Sequence, residues 1–178
     1  MATWIGLFRG INVGGNNILP MAKLKSDLEA LDLRNVRTYI QSGNVVFDAS
    51  AKTAASLSKK IASQIEERHG FRPHVIILSC DDLLAAIDSN PFPRAAAEPK
   101  TLHFYFLAEP AVNPDKTALN KLKSPTENFK LTGRVFYLHA PDGIGRSKLA
   151  ANAEKHLGVV TTGRNNRTVD KLRSMVMG

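Results

Sequence analysis

The stretch Tyr39-Ile40-Gln41-Ser42-Gly43-Asn44-Val45-Val46-Phe47 decides the fold. β-Branched and aromatic residues on both sides of a Ser-Gly-Asn turn are typical of a β-hairpin. A second run, FKLTGRVFY at residues 129–137, lines up with the first at a shift of 90 positions. Because the repeat concerns a whole hairpin, it predicts an internal duplication.

The segments on either side of each hairpin repeat in the same order. Apolar periodicity and turn residues predict a strand, a helix, the hairpin, a second helix and a closing strand in each half. A Gly ends or follows the second helix of each half, and His69 and His156 lie in its last turn, where positive charge suits the helix dipole. The predicted elements are strands 3–9, 36–40, 45–47 and 74–78 with helices 20–31 and 53–69, then strands 101–107, 129–131, 135–138 and 159–162 with helices 114–123, 146–157 and 166–177.

The order βαββαβ predicts an α+β protein made of two ferredoxin-like subdomains, plus a C-terminal helix. We expect an N-terminal subdomain over 1–80 and a C-terminal subdomain over 101–178. A short helix and a Pro-rich connection over 81–100 separate them.

Charge is distributed unevenly along the 178 residues. The chain has a net charge of +8, of which residues 1–90 contribute +1 and residues 91–178 contribute +7. A basic half attracts nucleic acid, nucleotides or phosphorylated metabolites, although a solvated surface would have the same composition. Cys80 is the only cysteine, and neither an export signal nor an apolar run of about 20 residues is present. We therefore expect a cytoplasmic protein without a disulfide or a membrane helix.

The chain contains four distinctive motifs: Arg9-Gly10-Ile11-Asn12-Val13-Gly14-Gly15, the first hairpin, PDGIGRSKL at 141–149, and Arg164-Asn165 followed by Thr168-Val169. They resemble the bacterial family called "domain of unknown function 1697". The resemblance runs over essentially the whole chain and implies two ferredoxin-like subdomains in a cytoplasmic protein, with no established reaction. Asn166 departs from it, because a Trp is expected there, and any packing or stacking role of that Trp is lost or moved.

The loop over 10–17 follows a strand and precedes a helix, a setting in which backbone N–H groups bind phosphate. Its glycines have neither the Walker nor the dinucleotide-binding spacing. The alternative is a tight turn whose Asn side chains cap local backbone groups. The candidate anion-binding residues here are Arg9, Asn12, Gly14, Gly15 and, from the hairpin, Asn44.

Two predicted helix starts in the basic half carry cations, which oppose the positive end of the helix dipole. A bound phosphate would make this arrangement favourable, whereas in the alternative these side chains extend into water. The candidates are Arg146, Ser147 and Lys148 at one start and Arg164, Asn165 and Arg167 at the other.

Alternation along the strands also predicts a stacking surface. We assign Leu102, Phe104 and Phe106 to the helix side, which leaves Tyr105, with Tyr137, on the opposite face. RNA-recognition domains carry stacking aromatics on such a face. The competing interpretation is that this face packs on the sheet of the first half.

These features favour a non-catalytic protein that binds a phosphate-bearing ligand, either nucleic acid or a nucleotide, through the basic C-terminal half. One alternative is an enzyme acting on a small phosphorylated or acidic substrate in a cleft between the halves, with Arg9, Asn12 and Asn44. Another is a protein-interaction module that uses an exposed sheet face. Metal-binding and nucleophile motifs are absent, so we assign no catalytic residue, metal ligand or cofactor.

Overall fold

The computed structural model describes residues 1–50 and 52–178. The chain divides into two compact units, Met1–Leu84 with Leu172–Gly178, and Ala85–Lys171. Each unit contains one four-stranded antiparallel sheet, so the predicted α+β class is confirmed. The subdomain boundaries at 80 and 101 stay predictions.

The first unit has the strand order β2-β3-β1-β4. Thr53 caps α2 by accepting a hydrogen bond from the Ser56 N–H, and Gly70 ends α2 with φ of 76°. At the start of α3, Ser79 and Asp82 exchange two hydrogen bonds of 3.0 Å in a capping box. The elements are β1 (Ala2–Arg9), α1 (Met21–Glu29), β2 (Arg34–Tyr39), β3 (Asn44–Ala49), α2 (Ala54–His69), β4 (His74–Ser79) and α3 (Cys80–Asp88).

The second unit has the strand order β6-β7-β5-β8, which is the same order when strands are counted from the start of the unit. Its last helix, α6, begins in this unit, and the residues from Leu172 onward belong to the first unit. A 3-10 helix over Pro93–Ala97 precedes β5 (Leu102–Leu107), α4 (Lys116–Leu122), β6 (Asn128–Thr132), β7 (Val135–His139), α5 (Lys148–Leu157), β8 (Thr161–Asn165) and α6 (Asn166–Met177).

Each unit has a core between its helices and one face of its sheet. In the first unit Phe8, Val45 and Phe47 pack with residues of α1 and α2. In the second unit Phe136 and Leu138 pack with residues of α4 and α5. Burial of one such side chain contributes roughly 1.5–3 kcal/mol, so these faces set the strand registers.

The repeated hairpins are not in the register that the sequence alignment predicts. Gly6 lies opposite Val45 in the first sheet, and Tyr105 lies opposite Phe136 in the second. Val45 and Phe136 both belong to the helix-side cores, whereas Val135 lies opposite Phe106 on the other face. The alignment at a shift of 90 is therefore wrong: Val45 corresponds to Phe136, a shift of 91, and their partners Thr38 and Leu131 correspond at a shift of 93. The reason is the turns, since residues 40–43 connect the first hairpin and residues 133–134 the second.

Candidate functional site

The predicted stacking pair, Tyr105 and Tyr137, does not share a face of the second sheet. Tyr105 lies opposite Phe136 and packs into the core beneath α4 and α5. Tyr137 lies opposite Phe104 on the other face. The assignment of Leu102, Phe104 and Phe106 to the helix side was wrong, because the set with His103 and Tyr105 packs under α4 and α5 and the all-apolar set lies on the other face. Alternation separates the two sets but does not say which one faces the helices.

Neither tyrosine ring is open for stacking. Tyr137 is 1% exposed, and its hydroxyl donates a 2.6 Å hydrogen bond to the Ala86 carbonyl. Its ring meets Phe104 edge-on with centroids 5.1 Å apart. Burial raises the pKa of Tyr105 and of Tyr137 to about 12. The predicted stacking platform is therefore wrong.

The Asn side chains around loop 10–17 hold the loop together. The Asn12 Nδ2 group donates 2.9 Å hydrogen bonds to the Leu19 and Gln41 carbonyls, and its Oδ1 accepts one from the Leu19 N–H. Asn44, which is fully buried, donates through Nδ2 to the Tyr39 carbonyl and the Ser42 hydroxyl. Both amide N–H₂ groups thus serve the backbone and the turn, as the alternative interpretation expected.

The other candidates of this loop are less constrained by side chains. Gly14 and Gly15 have φ of 58° and 75° in an exposed turn, which the Asn16 N–H closes by donating to the Val13 carbonyl. Glycine suits these angles at no steric cost. Arg9 is the last residue of β1. Anion binding by Arg9, Gly14 and Gly15 stays a prediction.

The segment before α6 differs from its prediction, because β8 continues to Asn165, which pairs with His103. Arg164 therefore lies in a strand rather than at a helix start. It is 8% exposed and donates to the Thr162 hydroxyl and the Gly163 carbonyl. Burial lowers its pKa to about 10.

The residues that follow Arg164 cap and begin α6. The Asn165 Oδ1 atom accepts a 3.0 Å hydrogen bond from the Thr168 N–H, which satisfies one free donor of the helix. Asn166 is the first residue of α6 and donates to the Asp170 carboxylate. Of the three candidates, only Arg167 presents an exposed cation in the first turn.

The start of α5 agrees better with its prediction. Ser147 is the N-cap, and its hydroxyl accepts a 3.0 Å hydrogen bond from the Ala150 N–H. Lys148 is the first helical residue, whereas Arg146 precedes the cap. Both side chains are exposed near the end of the helix where N–H groups lack helical partners.

A pocket of about 530 Å³ lies at this helix start within the second unit. Four cationic residues line it, Arg146 and Lys148 from the start of α5 and Lys121 and Lys123 from the end of α4. No ion pair within 4.0 Å involves these four in the part of the chain that the structure describes. The pocket is also lined by Leu122, Ser124, Glu127, Asp142, Gly143 and Ser147.

Sequence reasoning missed the contributions of Lys121, Lys123, Glu127 and Asp142. The end of the predicted helix 114–123 signalled two of these cations, since basic residues favour a last helical turn. Nothing in the sequence signalled that the end of α4 meets the start of α5. Their packing in one core brings them together.

Neither a cluster of metal-binding side chains nor a membrane-spanning helix occurs among residues 1–50 and 52–178. This part of the chain holds no group of three or more His, Cys, Asp or Glu side chains that could bind a metal ion. Within the same residues, every helix is too short or too polar to cross a membrane.

The fold and pocket define a two-unit α+β protein with a cationic site in its second unit. The family described as "Protein of unknown function (DUF1697)" matches residues 1–137, and the chain belongs to this family. The chain is also similar to the conserved bacterial protein SP0830 from Streptococcus pneumoniae, with 25% identity and a TM-score of 0.75, over 98% of each chain. No curated protein matches.

Proposed function

We propose that the protein binds a small phosphate-bearing ligand in the pocket at the start of α5, without catalysing a reaction on it. The observation that carries the proposal is that four cationic residues line one pocket and none of them forms an ion pair within the described part of the chain. A phosphate would accept charge-assisted hydrogen bonds from these side chains. It would also meet the N–H groups of the first helical turn.

The same arrangement is unfavourable for the empty protein. Lys148 at the positive end of the α5 dipole costs about 0.3–1 kcal/mol when exposed. Lys121 and Lys123 line the same pocket and add positive charge to it. A dianionic ligand removes both penalties, which supports a binding role for a segment that breaks the local rule for helix starts.

The experiment is a titration of inorganic phosphate into ¹⁵N-labelled protein, followed through backbone amide resonances. We expect saturable shifts at Lys148 and Leu149, whose N–H groups have no helical partner. Arg146→Ala combined with Lys148→Ala should weaken binding by about tenfold or more, since each charge-assisted hydrogen bond is worth about 1.5–3 kcal/mol.

The matched control is Lys155→Ala, which removes an exposed cation from the last turn of the same helix. It should change the affinity little, because it lies at the other end of the helix. The absence of any shift at the α5 start at low salt would refute the proposal. Equal weakening by the control would instead indicate attraction by net charge alone.

We further propose that the two units are ferredoxin-like βαββαβ units derived from one ancestor by duplication, in a cytoplasmic protein. Their common strand order supports duplication, as do the glycine ends of α2 and α5 at Gly70 and Gly158. The single cysteine supports a reducing compartment.

A further inference from the structure

Besides its cations, the pocket at the α5 start holds two carboxylates, Glu127 and Asp142. A phosphate ion would be repelled by both of them. A site for phosphate alone would gain affinity if they were absent. Their presence in the pocket therefore needs an explanation that a bare anion does not supply.

Both carboxylates are held in place by the segment 124–126. The Glu127 Oε2 atom accepts a 3.0 Å hydrogen bond from the Ser124 N–H, and the Asp142 Oδ2 atom accepts one of 2.6 Å from the Thr126 hydroxyl. Each carboxylate therefore uses one oxygen to fix its orientation. As a result, each carboxylate loses less conformational entropy on binding a ligand than a flexible side chain would lose.

The second oxygen of each carboxylate has no hydrogen-bond partner among residues 1–50 and 52–178. This matters most for Glu127, which is only 4% exposed. Among the described residues, the buried side-chain atoms without a partner are the ring nitrogens of Trp4 and His103, so the second Glu127 oxygen is still accessible from the pocket. A ligand that donates a hydrogen bond to this oxygen would take the place of solvent there with a charge-assisted contact.

We infer that the ligand is a sugar phosphate, either free or as part of a mononucleotide, with its phosphate at the cations and its sugar hydroxyls at Glu127 and Asp142. This inference rests on the proposed function, since the phosphate subsite is the same. A hydroxyl group is a neutral hydrogen-bond donor, so sugar hydroxyls can donate to both carboxylates without bringing a charge into the pocket. The pocket volume of about 530 Å³ lies within the range of small-molecule sites, roughly 300–1,000 Å³.

Isothermal titration calorimetry with four probes tests the inference: inorganic phosphate, ribose 5-phosphate, 2-deoxyribose 5-phosphate and adenosine 5′-monophosphate. Ribose 5-phosphate should bind at least about tenfold tighter than inorganic phosphate, because a hydrogen bond to a charged group is worth about 1.5–3 kcal/mol. Loss of one hydroxyl in the deoxy sugar should reduce that advantage. If adenosine 5′-monophosphate binds more tightly than ribose 5-phosphate, the ligand is a mononucleotide. If the two bind with equal affinity, the ligand is the free sugar phosphate.

The variant Glu127→Gln separates the two subsites. It should lower the affinity for ribose 5-phosphate and leave that for inorganic phosphate unchanged or higher, since a repulsive charge is gone. If this buried substitution prevents folding, Asp142→Asn at an exposed position supplies the same comparison. A variant that weakens both probes equally would show a purely structural carboxylate and overturn the inference.

Failure of the inference and failure of the proposed function are distinguishable. If inorganic phosphate does not bind, the proposed function falls and the inference falls with it. If inorganic phosphate binds with the same affinity as ribose 5-phosphate, the phosphate site stands and the sugar subsite does not exist.

Discussion

The helix pairs of the two units handle their charges in opposite ways. Between α1 and α2, Asp27 is 4% exposed and accepts hydrogen bonds from Arg68 at 2.9 Å and from the His69 Nε2 position at 2.6 Å. Between α4 and α5, Lys121, Lys123, Arg146 and Lys148 surround a pocket, and no ion pair of theirs is present in the described residues. The first pair thus joins two helices through a carboxylate, whereas the carboxylates in the pocket of the second pair, Glu127 and Asp142, form no ion pair with its cations in the described residues.

This difference shows that one strand order supports two different uses of charge. A buried carboxylate with both partners in place contributes to stability only while the partners remain. Cations around a pocket that form no ion pair in the described residues lower stability where they oppose the α5 dipole, yet they attract an anion. We therefore expect substitutions in the first unit to act mainly on unfolding, and substitutions at the second unit's pocket to act mainly on binding.

We expect the largest difference in stability between substitutions of the two hairpin glycines, Gly43 in the first unit and Gly133 in the second. At Gly43, with φ of 83°, an added Cβ would lie 2.6 Å from the Phe8 Cβ and 2.7 Å from the Ile11 Cδ1. At Gly133, with φ of 58°, an added Cβ would have no atom of the described residues within 4 Å apart from its chain neighbours. Gly43→Ala should reduce the free energy of unfolding by about 3 kcal/mol through overpacking and strain, and Gly133→Ala by about 1 kcal/mol through strain alone. Urea unfolding of both variants measures this, and equal losses would contradict the packing argument.

The carboxylate between α1 and α2 should give the next largest effect. Asp27→Asn removes the counter-charge of Arg68 and the carboxylate that His69 contacts, so we expect the free energy of unfolding to fall by about 2 kcal/mol. Glu29→Gln on the same helix is the control, because Glu29 is half exposed and pairs only with Lys25 at 3.8 Å. The control substitution should lower the free energy of unfolding by less than about 1 kcal/mol, as measured by thermal or urea unfolding. If both variants lose the same stability, the buried position of Asp27 is irrelevant.

A third comparison concerns the first strands of the two units. Trp4 and His103 occupy equivalent register positions, opposite Phe47 and Leu138, and each has a buried ring nitrogen without a partner among residues 1–50 and 52–178. Only His103 titrates, and burial lowers its pKa, while a hydrogen bond to the Lys100 backbone opposes this shift. The folded protein therefore favours neutral His103, and the unfolded chain takes up the proton near pH 6.5.

The stability contribution of neutral His103 is complete above pH 6.5 and is lost as the pH falls below that value. The uptake of this one proton changes the free energy of unfolding by at most about 1.4 kcal/mol per pH unit. His103→Phe should remove it, so urea midpoints of the variant should fall less between pH 6.5 and 5 than those of the unsubstituted protein. Parallel pH profiles for the two proteins would refute this account.

The smallest effect concerns Lys148 and has the opposite sign. Without ligand, Lys148→Glu should raise the free energy of unfolding by about 0.3–1 kcal/mol, because the dipole at the α5 start then meets a negative charge. Phosphate binding should be lost in the same variant. Thermal unfolding with and without phosphate measures both changes. A variant that is less stable without ligand would show that the cation is not in conflict with its helix.

The sequence predicted the elements well where local chemistry determines them. α2 ends at Gly70 as expected, because only a residue tolerant of positive φ continues the chain there. His69 and His156 lie in last helical turns, as predicted from charge and spacing. The end of β8 was misplaced, because Arg164 and Asn165 have no local strand signal and are extended through pairing with β5.

The sequence by itself determined the order of strands and helices, the turns, the uneven charge and the cations at the α5 start. Each of these depends on residues within a few positions of one another. Tertiary structure alone decided which face of β5 the helices cover and which residues of the two hairpins occupy equivalent positions. It also decided that Lys121 and Lys123 line the same pocket as Arg146 and Lys148. The physical reason is that alternation separates the two faces of β5 without encoding which one is covered by helices, and here the face with His103 and Tyr105 is covered. Likewise, two cationic segments separated by about twenty residues meet only when their helices share a core.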